Sequence, residues 1–265
     1  MIDLSKNSGL PISLMDDNKL KFDAPLKDVQ PHVRTYEEIK NVLMDKDAKP
    51  ESEEMYYMYR NVRLPEHELI IEKKHVSYDI TVIPAGKIGK EYIKTVGHYH
   101  AVKPGTKFAY PEVYEVIHGR ALFILQKVDA DDRVIIVLGV EAKAGEKVVY
   151  PPNYGHIIVN IGEETLVTSN WVGADFERLY QPIMDKHGLA YYVVDAPESA
   201  MGYKFVMNPE YDNHPQVRML THKFMHGFSI MDKGPMYTIG VNKPASLDFL
   251  VYPEKYAVEL SSITS

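Results

Sequence analysis

The stretch Gly97-His98-Tyr99-His100 places two imidazoles at i and i+2. In a strand that spacing puts both rings on one face, because side-chain direction alternates with period two. Glu112 opens a second apolar stretch, Glu112-Val113-Tyr114-Glu115-Val116-Ile117, and Pro151-Pro152-Asn153-Tyr154-Gly155-His156 delivers a third imidazole ahead of a run that contains Asn160. A lone His-x-His is ordinarily structural or solvent-facing. Three imidazoles and one carboxylate form a ligand set that suits Fe(II), Mn(II), Ni(II) or Zn(II) and leaves positions open for water or substrate. The chain contains no Cys, so thiolate sites, iron–sulfur clusters, thiol nucleophiles and disulfides are excluded. Of the other histidines, His222 and His226 have helical i,i+4 spacing but lack the Glu and third ligand of a zinc helix. His67, His75, His118, His187 and His214 stand alone and read as surface or satisfied core positions.

The elements that must position this set follow from periodicity. From about 56 to 172 short apolar runs are cut by turn residues every eight to twelve positions. The runs are Val76 to Ile83, Glu91 to His100, Glu112 to Ile117, Ala121 to Gln126, Val134 to Val140, Lys147 to Tyr150, Ile157 to Ile161 and Leu166 to Val172. Eight strands without intervening helical patterning predict an all-β double-sheet jelly roll or barrel. Residues 1–55 read as a loop-like arm with one short helix, which starts at the capping box Thr35-Tyr36-Glu37-Glu38 and carries Ile39, Val42 and Leu43. Residues 181–265 read as a mixed extension, with a helix over 181–188 and strands or wrapping segments at Tyr191 to Val194, Tyr203 to Met207, Met236 to Val241 and Phe249 to Val251. No linker separates these parts, so residues 1–265 are expected to form one domain with its core at about 56–180.

At 265 residues the chain is long enough for a sizeable core. Its net charge of -7 opposes a phosphate backbone, which excludes nucleic acid as the main partner. The N-terminus lacks a signal-peptide pattern and no 18-residue apolar stretch occurs. A cytoplasmic protein with no membrane partner is expected.

The spacing of His98, His100, Glu112 and His156 resembles the cupin double motif. The run from Thr81-Val82-Ile83-Pro84-Ala85-Gly86 through Thr95-Val96-Gly97-His98-Tyr99-His100, extended by Glu112-Val113-Tyr114 and by Pro151 through His156 to Asn160, is similar more narrowly to the cupin-type glucose-6-phosphate isomerases of archaea and bacteria. The likeness is close over about 56–180 and loose beyond. Two departures stand out. Eleven residues separate His100 from Glu112, so Ala101 to Pro111 is an insertion; Glu115, the alternative carboxylate, has the opposite strand parity. Asn153 occupies a position where other cupins have Gly and some members Tyr, and it tolerates a left-handed turn.

The resemblance implies a cupin jelly-roll barrel and a metal-dependent glucose-6-phosphate isomerase of glycolysis and gluconeogenesis, acting on a small phosphorylated sugar through an enediol. It implies one divalent ion per subunit, Fe2+ first with Mn2+, Ni2+ or Zn2+ as alternatives, held by His98, His100, Glu112 and His156. Glu112 is then ligand and proton carrier, with Tyr114 beside it on the same face. Thr81, Thr95 and Gly97 match phosphate-contacting positions, Lys90 stands in the adjacent turn, and Tyr56 and Tyr180 match pocket tyrosines. Arg178 takes the place of a His found shortly before the second Tyr in some relatives. A homodimer is expected for this fold. The same ligand shell also admits a cupin dioxygenase, and neighbouring chemistry admits a mannose-6-phosphate isomerase. A non-catalytic sugar-binding cupin would not need the complete ligand set.

Overall fold

A computed structural model describes residues 1–221 and 227–264. The period-two runs pair into two main sheets. The larger holds, in spatial order, Lys147–Tyr150, Glu112–His118, Leu166–Gly173, Val76–Ile83, Glu54–Tyr59 and His32–Thr35, with every neighbour antiparallel. The smaller holds Gly155–Asn160, Arg120–Val128 and Val134–Lys143 in antiparallel order, extended by Arg218–Thr221 in parallel. Val113, Val140 and Val159 are fully buried, and so are the neighbours Leu122 and Phe123, which point to opposite faces of their strand, so that strand is covered on both sides. The expected double-sheet jelly roll is present. Its ladders stay separate and do not close into one continuous barrel.

Three expectations need correction. The arm over residues 1–55 is more ordered than loop-like: Ile2–Asp3, Ile12–Leu14 and Leu20–Phe22 form a small sheet, because Ile12, Leu14 and Leu20 bury against the core. The capping-box helix is there, Tyr36–Ile39, with the Thr35 backbone N–H donating to the Glu38 carboxylate at 2.8 Å. The run Glu91 to His100 is not one strand. Glu91–Tyr92 joins a separate sheet with Lys87–Ile88, Tyr191–Asp195 and Tyr203–Met207, whereas Tyr99–His100 pairs with Arg178–Leu179. The break falls where Gly97 adopts φ 83°, which a strand interior does not accommodate.

In the C-terminal extension, the segments expected to extend at Met236 and Phe249 are helices, Met236–Asn242 and Asp248–Val251. They lie on the outer face of the larger sheet. Tyr237 stacks on Trp171 with centroids 5.8 Å apart and meets Tyr78 edge-on at 5.0 Å, and Trp171 Nε1 donates to the Met236 carbonyl. Helix wins there because Met236, Tyr237, Ile239 and Gly240 are buried together, a spacing that belongs to one helical face. Among the described residues no helix is long and apolar enough to cross a membrane.

Candidate metal centre

The four expected ligands come from three places and converge. His98 lies in an isolated bridge with His156, and His100 pairs with Arg178 in the two-residue ladder. Glu112 starts its strand opposite Tyr150 on one side and Val172 on the other. One ligand atom from each of His98, His100, Glu112 and His156 lies within 4.8 Å of every other. His98 Nε2 approaches His100 Nε2 to 3.1 Å, and the Glu112 Oε2 atom lies 3.3 Å from His100 Nε2 and 3.4 Å from His156 Nε2. A metal bonded to each at about 2.0–2.2 Å would set neighbouring donors roughly 3.0–3.5 Å apart. The donor set fits a divalent ion.

The surrounding groups prepare these atoms. His100 Nδ1 donates to the Tyr110 carbonyl at 2.7 Å, which leaves the Nε2 lone pair for the centre. Asn170 Nδ2 donates to Glu112 Oε1 at 2.6 Å, while Glu112 Oε2 and His156 Nε2 are buried without a hydrogen-bond partner among the described residues. Two such atoms aimed at one point are costly unless a ligand meets them. Burial, then the neighbouring imidazoles and the Arg178 and Arg60 guanidiniums, hold His98 well below the ordinary imidazole value. Burial and His100 do the same for His156. Both rings are therefore neutral at pH 7, the form that ligates.

The parity argument about carboxylates holds. Glu115 faces the other side of the sheet, where it accepts the Met236 backbone N–H at 2.7 Å and stands 3.8 Å from Lys147. The insertion between His100 and Glu112 carries the Tyr110 carbonyl. Its far end is tied down by Asn153, whose Oδ1 accepts from Ala109 N–H at 2.8 Å and whose Nδ2 donates to the Lys107 carbonyl at 3.1 Å. Asn153 does so at φ 68°, a left-handed conformation that Asn tolerates.

A narrow cleft opens beside Glu112, His98 and His156. Thr81, Thr95, Gly97, Tyr56, Tyr114 and Tyr180 all border it. Thr95 Oγ1 accepts from Ile158 N–H at 3.0 Å and keeps its own proton to donate. Tyr56 Oη accepts from Val96 N–H, and burial pushes its hydroxyl up to about 12. The Tyr114 hydroxyl is raised well above its usual value by burial and then by Glu112. Lys90 does not border the cleft: it is exposed in its turn, where its carbonyl accepts from Asp195 N–H. His222 and His226 lie outside the described residues. Of the solitary histidines, His67 Nδ1 pairs with the Tyr237 hydroxyl at 3.0 Å and His214 Nε2 donates to the Asn208 carbonyl at 2.8 Å.

The sequence reading missed Arg60, which borders the cleft as does Arg178, and missed Asp79 behind them. A signal existed. In Val76–Ile83, Ser77, Asp79 and Thr81 are polar at every second position, and in Leu166–Gly173 so are Thr168 and Asn170. Polar residues alternating in otherwise apolar strands mark a wet interior face.

A two-layer β fold with three imidazoles and one carboxylate gathered at the mouth of its interior defines a cupin. A sequence model of the glucose-6-phosphate isomerase family matches residues 33–209, more than half of the chain, and the chain belongs to that family. It is similar to the glucose-6-phosphate isomerase of Thermococcus litoralis, 27% identical over 67% of this chain and 87% of that protein. Against the enzyme of the same name from Pyrococcus furiosus it is 32% identical over 42% of this chain, spanning about half of that protein, 53%. Among solved structures, vicilin from Capsicum annuum superposes with a TM-score of 0.36 at 15% identity, covering 52% of this chain and 33% of that one.

Proposed function

We propose that this protein is a metal-dependent glucose-6-phosphate isomerase that interconverts D-glucose 6-phosphate and D-fructose 6-phosphate, a step shared by glycolysis and gluconeogenesis. The observation that carries the reading is the convergence of His98, His100, Glu112 and His156 within the stretch that matches the family. The ion they would hold, Fe2+ before Mn2+, Ni2+ or Zn2+ for a mixed imidazole and carboxylate set, supplies Lewis-acid polarisation of the sugar oxygens when bound. Glu112 is the proton carrier. In the direction from aldose to ketose it takes the proton from C2 while water donates a proton to the C1 oxygen, and the enediol forms. The O2 proton then passes back to water, restoring the one given up, as Glu112 returns its proton to C1. Asn170 keeps the carboxylate turned toward the cleft, and Tyr114 lies one step along the same face to hold a sugar hydroxyl.

Thr81, Thr95, Gly97, Tyr56 and Tyr180 form the wall for the phosphorylated end, supported by their shared position around the cleft. The chain acts as one domain over residues 1–265, as a homodimer in the cytoplasm. A coupled assay of fructose 6-phosphate conversion, run before and after chelation and with each metal restored, tests the reading. Turnover should vanish on chelation and return with metal. Activity indifferent to chelation removes the metal role; absence of conversion with every metal removes the isomerase reading, and mannose 6-phosphate in the same assay reports the neighbouring specificity.

A further inference from the structure

The cleft wall beside the metal centre carries two guanidiniums on one carboxylate. Asp79 is 2% exposed in its side chain. Its Oδ1 accepts from Asn61 N–H at 2.9 Å and from Ser77 Oγ at 2.7 Å, while Oδ2 accepts from Arg60 Nη1 at 2.5 Å. Arg178 Nη2 stands 3.5 Å from the same Oδ2. One guanidinium is enough to balance the Asp79 charge. Here the second is extra, and among the described residues the Arg178 side chain makes no hydrogen bond; it lies over the Phe176 ring, 5.0 Å from the centroid. Arg60 spends its other Nη on the Met58 sulfur at 3.1 Å, a weak acceptor. Both arginines keep strong donors facing the cleft, with 38% and 25% of their side chains exposed.

Register places the carboxylate that holds these donors in the middle of the cleft wall. Across the larger sheet Asp79 faces Asn170, which faces Tyr114, and two residues toward the metal that row gives way to Ser77, Val172 and Glu112. Two residues in the other direction it gives way to Thr81 and Thr168. Each step is about 7 Å, so the arginines stand between the metal ligands and the threonine wall. Arg178 is moreover held next to His100 by the backbone ladder. The charges agree with a phosphorylated sugar. Asp79 and Glu112 balance Arg60 and Arg178, so a bound divalent cation leaves the site at two positive charges, and a phosphate monoester is close to a dianion at neutral pH.

The geometry points to a substrate-binding role for Arg60 and Arg178: held in place by Asp79, they donate hydrogen bonds to the oxygens at the reacting end of the sugar and stabilise the negative charge that develops there. This rests on the isomerase reading. No proton is transferred to or from the guanidiniums; they act as fixed donors aimed where charge grows. Asp79 is a positioning residue.

The test compares Arg178→Ala, Arg60→Ala and Asp79→Asn with the wild type, each loaded with metal. Removing one such donor should lower kcat by roughly 10²–10³-fold with KM for fructose 6-phosphate little changed and metal content by elemental analysis intact. Metal-free protein should bind inorganic phosphate equally in wild type and variants, since the phosphate wall is elsewhere. Added guanidinium should restore part of the turnover of Arg178→Ala and none in wild type. Wild-type kcat in metal-replete Arg178→Ala and Arg60→Ala overturns the role, and so does a raised KM with weakened phosphate binding at unchanged kcat, which would move the pair to the phosphate. Where an alanine variant does not fold, Arg178→Lys is judged by the same criteria, because it keeps the charge but loses the planar fork. Lack of isomerisation by the wild type is a separate result that overturns the underlying reading.

Discussion

At the scale of single residues, the centre depends on groups that never touch the ion. Asn153 ties Lys107 and Ala109, and this holds the adjoining Tyr110 carbonyl against His100 Nδ1. Asn153→Gly keeps the left-handed φ of 68° but removes both hydrogen bonds, so His100 loses the partner that fixes its tautomer. Metal affinity measured by competition with a chelator should fall about tenfold, the lower end for an outer partner of a ligand; unchanged affinity would show that the loop holds itself. Asn153→Ala should lose more, because a Cβ in that region costs roughly 1–2 kcal/mol. The ligands themselves were legible in the sequence because ligation demands particular side chains at particular spacings. Asp79 and Arg60 were harder to see. Their role comes from a cross-strand row that no local spacing encodes.

At the scale of elements, Gly97 is where the run toward the histidines turns. A Cβ built there would stand 2.4 Å from Ile157 Cγ2 and 2.8 Å from the His156 carbonyl, at a φ of 83°. Gly97→Ala should therefore displace His98 from His156 and abolish stoichiometric metal, while circular dichroism stays that of a β protein; full occupancy would show that the turn is pliant. The strands over residues 76–83 and 112–173 were legible because short apolar runs are punctuated by turn residues, although most of these strands are buried on both faces. The C-terminal helices did not show in periodicity because they are a turn or two long, and packing on Trp171 rather than propensity holds them. Their attachment should depend on pH. Burial pushes Glu115 up to about 7, offset in part by the Met236 N–H and Lys147. Between the ordinary value of 4.5 and about 7, the folded chain holds a proton at Glu115 that the unfolded chain has released, so this group makes the fold less stable as pH rises through that window. Glu115→Gln removes the dependence. In urea melts its stability relative to wild type should improve from pH 5 to pH 7.5, and a difference that does not move with pH would mean that Glu115 is ionised in the fold.

At the scale of the whole molecule, the larger sheet has two faces with separate tasks. Asp79, Asn170 and Tyr114 form one cross-strand row on the face that carries the cleft, which Tyr114 borders, and the intervening Tyr78, Trp171 and Glu115 look outward to the C-terminal helices. The family match ends at residue 209, yet Tyr237, 1% exposed, sits against Tyr78 and Trp171 and accepts the Leu64 N–H through its hydroxyl. The extension is thus a built layer of the fold, closing a sheet face that would otherwise be wet. Removing a buried aromatic of this size costs about 3–5 kcal/mol, so Tyr237→Ala should lower unfolding free energy by that order in metal-free protein. Added metal stabilises by an amount set only by its concentration and affinity. If the two faces are independent, saturating metal adds the same increment to Tyr237→Ala as to wild type, as distant sites do. A variant that loses its metal increment would show that the outer helices set the register of Asn170 and Glu112, and that the extension belongs to the site as well as to the fold.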